Sequence, residues 1–451
     1  MEVIECLLLT NMRLISLIVI ILPVLLYFIS NRKKDFFNPS TAFSFLYILK
    51  VVIPTIIYSF PENIYIANDF FLEKSLYNDE VFIKYSVIQS IGYCMAIIGI
   101  GIHKIKRINK NVIDERGSSS DGYRYRFWGY SFYLLGAVGF FLIMSKVGGI
   151  IFFFSNLGQR TYLVKDLDFE TYLLSLLNYA PLVLIYSKRW TKQKFKLLDI
   201  ILVVLAGIMV GLGGRKALIM LVIECAAVYH YVVKPIRIKQ IFNLKVITIC
   251  CFLFLFFTTY SKLRNPGAFE EFVNNPVEFY VEKNEGGLTK SLAGESYVPF
   301  YISIVDYFDS NKKWNGASFG GLISAFIPSS FYPDKPPVDD GMYLYSIAHG
   351  NSVVPPVPTR NLDGSSWPLE TFGSMYANWG FIGVIVGMLL LGYIISYSFK
   401  KMVYSNYQFK YVIFYIMMLF TFEISTLRIV QAIIAFVLLS FVQLVIKRKY
   451  V

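Results

Sequence analysis

Residues 367–399 read WPLETFGSMYANWGFIGVIVGMLLLGYIISYSF, and the change of character inside this stretch decides the fold. Its opening carries a proline and a carboxylate, Glu370. From Thr371 to Phe399 no residue is charged. A helix that crosses lipid needs about 20 predominantly apolar residues, so 379–399 reads as a membrane span entered from a polar segment. Moving outward in both directions, runs of the same kind recur at 13–30, 40–60, 81–102, 127–145, 170–187, 197–213, 216–233, 246–262, 411–427 and 429–446. The expectation is an all-α polytopic membrane protein of about 11 transmembrane helices, divided as 1–261 (spans one to eight), 262–371 (one long loop) and 372–451 (spans nine to eleven).

Composition agrees with that reading. The 451 residues are 56% hydrophobic and 16% charged, more apolar surface than a soluble domain can hide. The first apolar run, Leu14 to Ile29, has no small-residue cleavage site and is followed by Asn31-Arg32-Lys33-Lys34, so it reads as a retained first span. The formal charge of +13 is unevenly placed. Alternate short connections (31–39, 103–126, 188–196, 234–245, 400–410, 447–451) hold 25 Lys/Arg against 4 Asp/Glu, whereas the long loop holds 13 acids against 8 bases. Basic short loops mark the cytoplasmic side, which places the N-terminus and the long loop outside and the C-terminus inside. The positive charge is then positive-inside bias and attraction to anionic lipid, with no nucleic-acid partner implied.

The long loop has no cysteine and one histidine, His349, so neither a disulfide framework nor a zinc site is expected, and no cofactor is called for. No phosphate-cradling glycine-rich loop with Lys-Ser/Thr and no serine nucleophile elbow occurs, which disfavours ATP-driven work and serine hydrolysis. Asp166-Leu-Asp168 has a metal–nucleotide spacing but falls outside the cytoplasm in this topology. Two charges lie well inside spans, Lys50 and Glu224. They read either as a mutual ion pair or as separate functional groups. Gly383 and Gly387 have the spacing of a close-packing helix face.

Cationic groups collect at the outer ends of spans. Gly211-Leu212-Gly213-Gly214-Arg215-Lys216 forms the tip between two short spans, Arg264 follows the eighth, Arg360 lies near the end of the loop, Arg160 in another external connection and Arg428 in the last external hairpin, Thr421-Phe-Glu-Ile-Ser-Thr-Leu-Arg428. Guanidinium groups bind phosphate oxygens bidentately and keep their charge, so these arginines could clamp a diphosphate; each alone reads equally as a lipid-headgroup contact. For proton transfer the candidates are His349, whose ordinary pKa is near neutrality, and Glu370, where the loop returns to the membrane; the plainer readings are a surface histidine and a helix N-terminal charge. Aromatic residues of the loop, among them Tyr297, Tyr301, Trp314, Tyr345 and Trp367, could stack on sugars or pack the loop on the membrane. Ile302 to Phe308 reads as a short interfacial helix.

The combination resembles the Wzy-type O-antigen and enterobacterial common antigen polymerases. Three stretches carry the resemblance: Gly213-Gly-Arg-Lys-Ala-Leu-Ile219, Phe326-Ile-Pro-Ser-Ser-Phe-Tyr-Pro-Asp-Lys-Pro336 and Leu369-Glu-Thr-Phe-Gly-Ser-Met-Tyr-Ala-Asn-Trp-Gly380. The spacing of an arginine and a glycine with ten residues between them, described for some members, is not met at Arg215, Arg264 or Arg360. The resemblance implies a GT-C-like fold akin to the O-antigen ligases and a metal-independent, inverting glycosyltransferase of the cytoplasmic (inner) membrane. It implies an undecaprenyl-diphosphate-linked oligosaccharide as substrate, with Arg215 and Arg264 on the donor diphosphate, and a chain-length regulator and a flippase of the same pathway as partners. An O-antigen ligase, a lipid-linked oligosaccharide flippase and a non-catalytic scaffold are the competing expectations.

Overall fold

The computed structural model of the chain describes residues 2–31, 37–67, 69–103, 119–156, 159, 163–164, 167–191, 197–212, 215–236, 268–276, 278–279, 296–327 and 331–447. Among these residues the regular structure is entirely helical. The main helices are α1 (Glu2–Ser30), α2 (Pro39–Tyr58), α3 (Phe70–Leu76), α4 (Asp79–Gly101), α5 (Ser119–Val147), α6 (Phe169–Trp190), α7 (Leu197–Gly211), α8 (Arg215–Val232), α9 (Val298–Ser310), α10 (Gly341–Ala348), α11 (Glu370–Tyr404), α12 (Phe409–Phe420) and α13 (Thr426–Lys447). Among the described residues seven helices are long and apolar enough to cross a membrane, and three more apolar ones, Leu197–Gly211, Ala217–Val232 and Phe409–Phe420, are shorter. The chain is thus an all-α, multi-pass membrane protein. The expected span at 246–262, Arg160, Asp166, Gly213, Gly214 and Arg264 lie outside the described residues.

Local sequence explains several boundaries. Asn78 caps α4 by accepting the Val81 N–H, and Asp79 and Glu80 follow in the first turn, where the helix dipole favours carboxylates. Asp69 caps α3 in the same manner, accepting from Phe71 and Leu72. Helix α2 starts at Pro39 behind Asn38 and changes to a π-turn over Ile48–Val52. The turn has a covalent cause: Pro54 lacks the N–H that an α-helix would aim at the carbonyl of Lys50.

The chain divides into two compact units. The first comprises residues 1–107, 292–401 and 417–437. Within it α1 packs along α4, and α9 packs on α3 and α4. Helices α4 and α11 cross with their backbones in contact, for a Cβ on Gly99 would lie 2.2 Å from the Leu389 carbonyl oxygen and one on Gly392 2.1 Å from that of Ala96. The expected interfacial helix at Ile302–Phe308 is instead core: Ile302, Ile304, Val305 and Phe308 are fully buried. Its apolar face meets protein, because Ser75 donates to Asp306 on one side and Gly373 lets Ile304 approach on another.

Helix α11 is broken at Gly380, whose φ of 64° and ψ of −146° are non-helical. In a continuous helix Met375 and Gly387 would stand roughly 18 Å apart. Here a Cβ on Gly387 would come within 2.3 Å of the Met375 side chain, and one on Gly383 within 2.3 Å of the Met375 carbonyl oxygen. Residues 370–379 therefore double back along the span as a separate arm. The small-residue pair Gly383 and Gly387 serves this internal packing rather than contact with a neighbouring span. Thr371 to Asn378 are all buried, so the arm is enclosed by protein. The loop at 314–318 receives its C-terminal end: Trp314 N–H donates to Ala377 O and Asn315 N–H to Asn378 O, both at 2.9 Å, and Asn378 reaches Ser318 at 2.8 Å. These bonds satisfy carbonyls that a helix end leaves without partners.

The second unit comprises 108–291, 402–416 and 438–451. In it α5 packs on α6, α6 on α8, and α7 on α8. Arg189 ties α6 to the turn before α12 by donating to the Tyr407 and Asn406 carbonyls at 2.8 and 3.2 Å. Glu224 is buried in this unit.

Candidate functional site

The arm carries Glu370 at its N-terminal end, and Glu370 is the centre of a half-buried ionic cluster in the first unit. Lys50 Nζ lies 3.1 Å from Glu370 Oε1 and 3.4 Å from Glu423 Oε1. Tyr301 donates its hydroxyl to Glu370 Oε2 at 2.6 Å. Thr371, next to Glu370, donates its hydroxyl to Glu423 Oε2 at 2.7 Å and in turn accepts the Ile424 N–H at 2.7 Å. Lys50 comes from the π-turn of α2, Tyr301 from α9, Glu370 from the arm and Glu423 from the turn between α12 and α13. Segments distant in sequence thus meet at one point.

Of the two readings of Lys50 and Glu224, the mutual pair is corrected: Lys50 takes Glu370 and Glu423, carboxylates of its own unit. One ammonium serves two carboxylates. Burial pushes the Glu423 carboxyl above its ordinary range, and the nearby Glu370 charge adds to the effect. Burial, followed by the Glu370 and Glu423 charges, raises the Tyr301 phenol far above its usual value, so it stays a donor.

Glu370 also has a φ of 46°, a left-handed conformation in a residue with a side chain. Such backbone persists where surrounding contacts over-determine it, and it clusters at functional sites. A cleft opens beside the cluster. Apolar side chains, Phe43, Leu46, Phe372, Met388, Leu391 and Leu419 among them, share its lining with Lys50, Tyr301, Glu370 and Glu423. A few convergent polar groups in a mostly apolar wall are the usual composition of a ligand site.

The arm has a second anchor. Ser374 donates to Asp340 at 2.8 Å, and Asp340, just before α10, is almost completely buried. Burial pushes its carboxyl up to about 7. Tyr376 donates to Asp309 of α9 at 2.7 Å. With Tyr301 on Glu370 and Ile304 against Gly373, α9 follows the arm along its length.

The other sequence candidates fall elsewhere. His349 is exposed at the end of α10; its ring lies 4.1 Å from that of Tyr345 and 6.2 Å from that of Trp367. Arg360 is exposed and pairs with Asp334 at 2.9 Å. Arg428 donates to Gln431 at 2.8 Å. Arg215 opens α8, and its side chain is not among the described ones. Of the candidate site residues, Glu370 is the one whose described contacts lie in the cluster.

Sequence reasoning passed over Glu423 in favour of Arg428 in the same hairpin. The signal was present: a lone carboxylate between two apolar runs is costly and calls for a partner. Among the described residues no group of His, Cys, Asp and Glu is arranged to hold a metal ion. No family model, no curated protein and no solved structure matches the chain.

Proposed function

We propose that the chain is a membrane glycosyltransferase of the polysaccharide-polymerase type, working on a polyprenyl-diphosphate-linked oligosaccharide with Glu370 as its base. The observation that carries the reading is the placement of Glu370: a carboxylate in strained backbone, held by Lys50 and Tyr301, in the lining of a mostly apolar cleft. In the proposed step the Glu370 carboxylate takes the proton of an acceptor sugar hydroxyl. The hydroxyl oxygen forms a bond to the donor's anomeric carbon, and the bond from that carbon to the diphosphate breaks with inversion. Lys50 and Tyr301 hold the carboxylate in place, one on each oxygen. The apolar wall suits the lipid carrier, and the polar corner suits the sugar. Arg215 and Arg264 remain the sequence-based candidates for the leaving diphosphate. The site of action in this reading is the outer face of the cytoplasmic membrane.

Deletion of the gene in its native host tests the proposal. A lipopolysaccharide gel should show the ladder collapsed to a single capped repeat, and purified protein should restore chain growth on lipid-linked repeats in vitro. Loss of the whole ladder, the single repeat included, would instead indicate the ligase. A second reading, transport of the lipid-linked unit, draws on the doubled-back helix beside an ionic cluster, a combination that transporters use at their binding sites. Movement of labelled glycolipid across proteoliposomes without chain growth would select it.

A further inference from the structure

The long loop carries an apolar surface away from the cluster. From Trp314 to Pro333 no residue is charged. The start of this segment is moored to the turn at Gly380. Phe319 stacks on Trp379 with centroids 5.7 Å apart, a Cβ on Gly316 would lie 3.1 Å from the same ring, and Thr426 donates to the Ser318 carbonyl at 3.4 Å. At that turn α11 begins its crossing, with Trp379, Phe381 and Ile382 exposed on its outer face. On a membrane span this is a lipid-facing surface, and an aromatic residue at its end is the usual marker of the interface.

Beyond the mooring the exposed apolar surface continues. Ile323 is 85% exposed and Phe331 82%, and Phe326, Ile327 and Tyr332 are exposed as well. The charges begin at its edge: Lys335 donates to the Ile327 carbonyl at 3.0 Å, and Asp334 holds Arg360. Large apolar side chains grouped in this way mark an interaction site rather than ordinary surface.

We infer that Ile323, Phe326, Ile327 and Phe331 form an interfacial membrane anchor, seated in the headgroup–acyl boundary of the leaflet that receives Trp379. The partner is the bilayer itself. Continuity with the lipid face of α11 favours it, and so does the rim of charges on one side of an uncharged patch. An amphipathic element of this kind sinks about 5–10 Å into the boundary. The anchor fixes the long loop to the membrane independently of what the cleft binds, so its test is separate from that of glycan transfer.

Single cysteines at Ile323, Phe326 and Phe331 (I323C, F326C, F331C) would be labelled with an environment-sensitive nitrobenzoxadiazole in the full-length protein. Each variant would be checked for monodispersity and placed in phosphatidylcholine nanodiscs, with unmodified protein as background because Cys94 is exposed. The exposed Asn351 of the same loop, as N351C, is the aqueous control. Shallow doxyl-labelled lipid should quench the three positions about twofold while iodide quenches them little, and the control should show the reverse, given the expected depth. Iodide quenching of all three like the control would overturn the anchor, and so would insensitivity to both quenchers, as under a protein cover.

Discussion

Two ionic clusters of the first unit, one buried and one half-buried, invite comparison. Arg13 donates Nε to Asp79 at 2.7 Å and spends its remaining N–H groups on the carbonyls of Tyr58, Ser59 and Leu76, with Phe82 beneath its guanidinium. One cation meets one carboxylate, and the contacts join α1, the end of α2, α3 and α4. Lys50, by contrast, stands between two carboxylates beside an open cleft, and its helix deforms where it sits. Both clusters pay desolvation, but only the first is closed on itself. A closed pair holds elements together; a cluster with an excess carboxylate, strained backbone and access to a ligand is built to change state.

The comparison can be broken most severely at the staple. Arg13→Ala leaves Asp79 buried without its partner and should cost about 3–5 kcal/mol, the usual penalty for half of a buried pair. The expected outcome is a marked fall in Tm and in detergent-stable protein, measured by thermal shift, with residual activity per folded molecule unchanged. A variant as stable as the wild type would dissolve the distinction. At the cleft the reverse pattern is expected. Tyr301→Phe removes one hydrogen bond to a charged group, worth about 1.5–3 kcal/mol. Activity should drop at least tenfold in a chain-growth assay, while Tm moves far less than for Arg13→Ala.

A smaller effect concerns Asp340. Its folded carboxyl titrates near 7 against an ordinary 3.8, so the folded state holds the proton that the unfolded state releases. Stability from this group is complete below about pH 4 and declines as pH rises toward 7, by up to about 1.4 kcal/mol per unit. Asp340→Asn should flatten that decline in thermal melts taken from pH 4 to 8; an unchanged slope would place the titrating group elsewhere. Least of all should Arg360→Ala disturb the fold. Its pair with Asp334 is solvent-exposed and contributes at most about 1 kcal/mol. Any clear loss of activity in that variant would report on substrate contact, not on stability.

Much of this architecture was legible from hydropathy, because lipid demands long apolar helices and each leaves a run in the sequence. Glu370 was legible for a related reason: it is the last charge before a span. What the runs could not convey is the break at Gly380. The span reads as beginning at 379, beside the break, and only the backbone reveals that the ten residues before Gly380 fold back and carry Glu370 with them. Nor could periodicity pair Lys50 with its carboxylates, since Glu370 and Glu423 lie more than three hundred residues away. The apolar face of α9 misled for a simple reason: lipid and a protein core select the same residues.

The central claim is that Glu370 is the proton-accepting group of a glycan transfer. Glu370→Gln keeps the size of the side chain and one of its two acceptor oxygens but cannot take the proton. Assayed as purified, folded protein on lipid-linked repeats, it should lose about 10²–10⁴-fold in chain growth, the contribution of a general base, with Tm within a few degrees of wild type. Chain growth at the wild-type rate from the same preparation would contradict the account.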